Sequence, residues 1–125
     1  MRAILEAPEV KEKPTTLKEA CINQKVDYND FIAECAKLPK NQSGLKKLTF
    51  INKDIRGDWK PTLDNTWYFP WMKRNKSGFS FHGVGFYDTR YGFVVPASLA
   101  SKDSADAEYI GKTFESEWTE YLSPE

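Results

Sequence analysis

Residues 67–93 read WYFPWMKRNKSGFSFHGVGFYDTRYGF, and this stretch decides the fold. It holds ten of the chain's eighteen aromatic residues, and aromatic side chains dominate the energetics of cores and interfaces. Runs of strand formers at 66–72, 79–82 and 91–95 are separated by polar turn segments, which predicts a three-stranded antiparallel sheet. Pro70 has no N–H to donate, so the first strand should lie at an edge or end at a bulge.

The residues before this stretch have helical patterns. Thr16 and Glu19 have the spacing of a capping box and predict a short helix over about 17–24. Asp27 can cap a second helix that continues to about residue 38. Asn41 or Ser43 can cap a third helix that ends at about residue 57.

One further helix follows the sheet in the predicted order. Asp103 or Ser104 caps it, and its apolar stripe has steps of three and four: Ala107, Ile110, Phe114, Trp118 and Tyr121. The predicted class is therefore α+β, with two or three N-terminal helices, a three-stranded antiparallel sheet and a C-terminal helix packed on the sheet. We expect residues 1–14 to be a flexible arm and residues 15–125 to be a single α+β domain.

Charge is balanced overall but unevenly distributed. The 125 residues carry 18 basic and 18 acidic side chains, so no whole-molecule attraction to nucleic acid or to anionic membrane is implied. Residues 46–90 carry a net charge of +5, whereas residues 91–125 carry −5. No apolar run approaches the roughly 20 residues that span a bilayer, so we expect a cytoplasmic protein with no membrane partner.

Five short motifs along the chain carry a family likeness: TLKEAC at 16–21, GDWKP at 57–61, YFPW at 68–71, GFSF at 78–81 and AEYIGKTF at 107–114. In this order they resemble a family of small uncharacterised proteins from Bacteroides-type bacteria and their phages. The resemblance covers residues 15–122. It implies an origin in a phage or mobile element, hence a location in the host cytoplasm, and it implies no chemistry.

Residue types that carry catalysis are sparse. His82 is the sole histidine, and no acid near it in sequence could orient it as a general base. Cys21 and Cys35 are too few for a zinc site, and we expect buried reduced thiols; pairing them would need two helices side by side. The remaining candidates are aspartates among turn residues, where aspartate bonds the backbone: Asp54, Asp58, Asp64 and Asp88. We therefore expect no enzyme, no cofactor and no metal.

Binding through the sheet is the stronger hypothesis. Only half the side chains of an alternating strand face inward, so ten aromatics exceed the needs of one buried face. Aromatic side chains edged by cations suit single-stranded nucleic acid, whose bases stack and whose phosphates follow the charges. The candidate binding residues are Tyr68, Lys73, Arg74, Lys76, Phe79, Phe81 and Arg90.

Two alternatives stay open. The partner could be a host or phage protein, with the chain acting as an interaction or virion-assembly subunit or as an inhibitor of a host protein. The aromatics could also be core alone, packed on the last helix. We expect Trp67, Phe69 and Trp71 to share a buried side against that helix, with Tyr68 on the outer face near Phe79 or Phe81. The sequence does not fix the oligomeric state.

Overall fold

The computed structural model describes residues 13–62, 66–76, 78–87 and 97–123 and confirms the α+β class. Three helices precede a β-hairpin, and a short 3₁₀ turn and two helices follow it. The bounds are α1 Leu17–Gln24, α2 Tyr28–Ala36, α3 Lys40–Arg56, β1 Trp67–Asn75, β2 Gly78–Tyr87, the 3₁₀ turn Ala97–Leu99, α4 Ser104–Thr113 and α5 Glu115–Leu122.

Local capping signals fix three helix starts. The Thr16 hydroxyl accepts the Glu19 N–H at 3.1 Å, as the capping-box pattern predicts. The Glu19 carboxylate accepts the Thr15 N–H at 2.7 Å and the Thr15 hydroxyl at 2.9 Å. Asp27 caps α2 and Asp103 caps α4, each by accepting the N–H three residues on. These helix starts are confirmed.

The third helix starts differently from the prediction. It begins directly after Pro39 and has no side-chain cap, so the expected caps Asn41 and Ser43 both lie inside it. Pro39 supplies a backbone fixed in φ that leads into the first turn. Gly57 ends the helix at φ 58°, a left-handed value that favours glycine.

The single C-terminal helix of the prediction is wrong, because the structure has two. Phe114 leaves helical geometry at φ −115° and ψ 40°, and α5 starts with the next residue. No glycine or proline marks the break, and the apolar stripe runs through it. The Phe114 side chain is fully buried in the core.

The sheet described here has two strands, not three. β1 and β2 pair antiparallel with Trp67 opposite Tyr87 and Asn75 opposite Gly78. The predicted third strand, 91–95, lies outside the described residues. A register shift between Trp71 and Met72 leaves His82 as an extra residue on β2. β1 does not end there but continues to Asn75, so the expectation that a bulge ends the strand of Pro70 is wrong.

The core lies where α3 meets the other helices. α1, α2 and α5 pack on α3, and α4 and α5 pack on the hairpin. Gly44 of α3 is buried directly against the backbone of α5, next to Tyr121. The main cluster consists of Leu17, Ala20, Cys21, Phe31, Cys35, Leu48, Ile51, Ile55, Leu99, Ile110, Phe114 and Trp118.

Both edges of the hairpin are occupied. On the β1 side, Tyr68 and Ser101 exchange backbone hydrogen bonds at 3.0 and 2.7 Å. On the β2 side, the Phe79 N–H donates to the Thr119 hydroxyl at 2.9 Å, and the Phe81 N–H donates to the Glu115 carboxylate at 2.8 Å. Side chains of α5 therefore satisfy donors that an edge strand would otherwise leave open.

The end of the expected arm lies on the domain. Lys13 forms a 3.0 Å ion pair with the buried Asp106, and the Tyr109 hydroxyl donates to the Pro14 carbonyl at 2.9 Å. Residues 1–12 lie outside the described residues, so an arm over that range stays a prediction.

Candidate nucleic-acid interface

One face of the hairpin packs on the C-terminal helices. A Cβ added at Gly111 of α4 would lie 2.6 Å from Pro70 Cβ and 2.5 Å from Phe81 Cδ1, so α4 contacts the side that carries Pro70 and Phe81. Met72, opposite Phe81, packs against the main core cluster. The expectation that the tryptophan-bearing side of β1 packs on these helices is therefore wrong.

The opposite face carries Trp67, Phe69 and Trp71, which share a side as the alternation predicts. Trp67 and Phe69 are buried, but the Trp71 side chain is 57% exposed. Lys73 follows on the same side, and Gly83 and Ser80 stand opposite Trp71 and Lys73 on β2. We call this surface, made of Trp71, Lys73, Ser80 and Gly83, the Trp71 face.

The structure separates Tyr68 from the cations of the predicted site, whereas Phe79 stands directly opposite Arg74. Tyr68 is half-buried near the start of β1, five residues or about 17 Å of strand from Lys73. Its ring lies 6.4 Å from that of Phe86 rather than near Phe79 or Phe81. Phe79 and Phe81 are half-buried on the helix-packed side. The expectation that they form an outer stacking face with Tyr68 is wrong.

The structure places three of the four predicted cations at the exposed end of the hairpin. Lys73 and Arg74 end β1, Lys76 occupies the turn, and all three are exposed. None of the three forms an ion pair with a residue in the described ranges. Glu115, the acid that contacts β2, accepts the Phe81 N–H, and Glu108 pairs with Lys112 at 2.7 Å. Arg90 lies outside the described residues.

Sequence reasoning missed two exposed aromatics. The strand pattern predicts a buried Trp71, yet it is the exposed one among the chain's four tryptophans, all of which the structure describes. Phe86 is 65% exposed and lies beside Tyr68 on the other side of the sheet. No local signal in the sequence reveals this: Gly111 makes room on α4, but only the structure shows that Pro70 and Phe81 fill it, which leaves Trp71 on the other face.

The titratable groups with shifted pKa values lie off the hairpin within the described ranges. Burial raises the pKa of Asp54, opposed by a hydrogen bond from Asn23 Nδ2 at 2.7 Å. Burial also lowers the pKa of Arg56, which donates to the Ala97 and Ala100 carbonyls. These groups are structural ties at the end of α3 rather than members of a catalytic cluster.

Metal and small-molecule sites find little support in the described part of the chain. No group of three or more histidine, cysteine or acidic side chains there could hold a metal ion. The exposed His82 stands at the bulge. A pocket of about 390 Å³ lies between the start of α1 and the α4–α5 junction. Its Lys47 already pairs with Glu120 at 2.8 Å, and the pocket contains no member of the Trp71 face.

No protein-family model matches the chain, and neither a curated protein nor a solved structure is significantly similar to it. Among the described residues, no helix has the length and apolar character needed to cross a membrane. The case for a function therefore rests on the hairpin surface itself.

Proposed function

We propose that the chain is a non-catalytic accessory protein of a phage or mobile element that binds single-stranded nucleic acid in the host cytoplasm. The observation that carries the binding proposal is the exposed indole of Trp71, two residues from Lys73 on the same side of β1. Arg74 and Lys76 continue the positive charge to the end of the hairpin.

The physical argument combines stacking with charge. An aromatic side chain contributes about 1–3 kcal/mol for each base stacked on it, and it accepts any base because every base has a flat π-face. Bases in a duplex have their faces covered by their neighbours, so an exposed indole favours an unpaired strand. Cations beside the indole attract the phosphates that connect the bases.

A salt titration tests this proposal. Three neutralised phosphates predict that log K falls with log[salt] at a slope of about −2, since each contributes about −0.7 on a single strand. Raising the salt fourfold should then weaken binding of a fluorescein-labelled oligothymidylate by roughly 15- to 20-fold. Fluorescence anisotropy measures both quantities.

Matched variants locate the charges. Lys73→Ala should reduce the magnitude of the slope by about 0.7, whereas Lys53→Ala, on the exposed side of α3, should leave it unchanged. Absence of binding at low salt, or an equal change of slope in both variants, would contradict the proposal.

A second candidate is a protein-interaction role, and the exposed Phe86 favours it. An aromatic side chain that is 65% exposed beside Tyr68 is typical of the residues enriched at protein interfaces. Analytical ultracentrifugation of the wild type and of Phe86→Ala tests self-association through this surface. A concentration-dependent dimer that Phe86→Ala abolishes would support this candidate, and a monomer at all concentrations would count against self-association.

A further inference from the structure

Two glycines of β2 differ in what covers them. Gly85 stands opposite Phe69, whose ring lies over it, with Phe69 Cζ 2.7 Å from where a Cβ would be. Gly83 stands opposite Trp71 on the same face, yet no atom of the described residues lies within 4 Å of its Cβ position. The smaller ring thus covers the Cβ position of its cross-strand glycine, and the larger ring leaves that position of the partly buried Gly83 open.

An aromatic side chain laid over a cross-strand glycine is a common way to protect the bare backbone of a sheet. Trp71 does not do this. The result is an open space whose floor is the backbone of Gly83 and whose neighbour is the exposed indole. Glycine inside a strand often marks a place where a ligand or another backbone approaches closely.

We propose that this space is a slot for one planar, unpaired nucleobase, which lies over Gly83 against the Trp71 indole. The inference rests on the proposed function and deepens it by naming the position of one base and the residue that makes room for it. The charge beside the slot decides the occupant. Lys73 is the next residue along this face of β1, it is exposed, and it has no ion-pair partner in the described ranges, so it suits the phosphate attached to that base.

Gly83→Val tests the slot by filling it. Gly83 does not have the left-handed φ of Gly57 and Gly78, and valine is a good strand former, so the variant should fold. Two labelled probes of equal length are compared by anisotropy: an oligothymidylate, and an abasic strand that keeps the phosphates but has no bases. We expect Gly83→Val to weaken oligothymidylate binding by roughly 5- to 150-fold, the value of one stacked base, and to leave abasic binding unchanged.

Two further variants guard the interpretation. Thr66→Val adds a valine at an exposed position just before β1, outside the slot, and should bind both probes like the wild type. Gly83→Ala fills less of the slot, so its loss should lie between those of the wild type and Gly83→Val. Circular dichroism melting checks that each variant folds, and Gly83→Ala carries the test if valine does not fold.

The fluorescence of Trp71 gives an independent readout. Because Trp67 and Trp118 are buried and Trp59 is half-buried, stacking of a base should quench mainly the emission of Trp71. Trp71→Phe should remove most of the quenching that oligothymidylate causes.

The outcomes separate the two proposals. A wild type that binds neither probe overturns both the slot and the proposed function. A wild type that binds oligothymidylate as tightly as the folded Gly83 variants do overturns the slot alone. If the Gly83 variants bind the abasic strand more weakly by the same factor, the space holds the sugar-phosphate backbone of the strand rather than a base. The slot is then overturned as well.

Discussion

Substitution of Gly44 by alanine tests the closest helix contact in the core. Gly44 lies inside α3, where the backbone of α5 approaches so closely that an added Cβ would lie 2.6 Å from Tyr121 Cα and 2.8 Å from the Glu120 carbonyl carbon. Ordinary contacts of a Cβ begin near 3.4 Å, and both of these atoms belong to backbone. The side chain can therefore be accommodated only if α5 moves.

The expected magnitude is a difference of two effects. Glycine to alanine inside a helix stabilises by about 1 kcal/mol through propensity alone. Overpacking costs about 1–3 kcal/mol, and contact with rigid backbone places this case at the upper end. Displacement of α5 would also stretch the 2.8 Å pair between Lys47 and Glu120. We expect a net loss of about 2 kcal/mol.

Urea unfolding monitored by circular dichroism measures the change as a lower midpoint at unchanged slope. Ala33→Gly, at an exposed position in α2, measures the propensity effect alone and should cost about 1 kcal/mol. If Gly44→Ala instead raises the stability by that amount, α3 and α5 are not in close contact here, and the packing described above is wrong.

Three further predictions concern the core, the strand edge and the thiols. Trp118→Ala should cost about 3–5 kcal/mol in urea unfolding. Trp118→Phe should cost far less, because the buried indole N–H has no partner within the described chain and its removal relieves an unpaired donor. Glu115→Ala should cost about 1 kcal/mol by leaving a β2 N–H without its acceptor, whereas Glu115→Gln keeps an acceptor and should nearly match the wild type in the same assay. Burial raises the pKa of Cys21 and Cys35, so above about pH 8.5 the unfolded chain releases thiol protons that the folded chain keeps. The free energy of unfolding should therefore fall as the pH rises, and less steeply in a Cys21→Ala, Cys35→Ala variant; equal slopes in melting experiments would contradict this.

The starts of α1, α2 and α4 could be predicted from the sequence because their causes are local. Thr16, Asp27 and Asp103 each bond an N–H three residues away, so the signal and the effect lie in the same turn. The break at Phe114 could not be predicted, since the apolar stripe continues through it. Its cause is tertiary: the chain must pack α4 and α5 on the hairpin and α5 also on α3.

For a similar reason, the sequence predicts which β1 residues share a side but not which side is exposed. Alternation in β1 correctly places Trp67, Phe69 and Trp71 on one side. Alternation states which residues share a face, but not which face the helices cover. That choice depends on how Pro70 fits against Gly111, two residues far apart in sequence. The cations lie at the end of the hairpin as predicted and are exposed, although Lys73 and Arg74 belong to β1 and only Lys76 lies in the turn.

The occupied β2 edge has a consequence for the order in which the chain is made. Glu115 and Thr119, which satisfy the β2 donors, leave the ribosome about 30 residues after the hairpin, or roughly 1.5–6 s later at typical rates of synthesis. During that interval β2 is a bare strand edge, a template for pairing with another chain. An mRNA truncated before the α5 codons would produce a chain whose β2 edge stays exposed. That chain should collect in the insoluble fraction even though the hairpin sequence is intact. By bonding the open N–H groups of β2, α5 thus prevents aggregation through that edge once its own synthesis is complete.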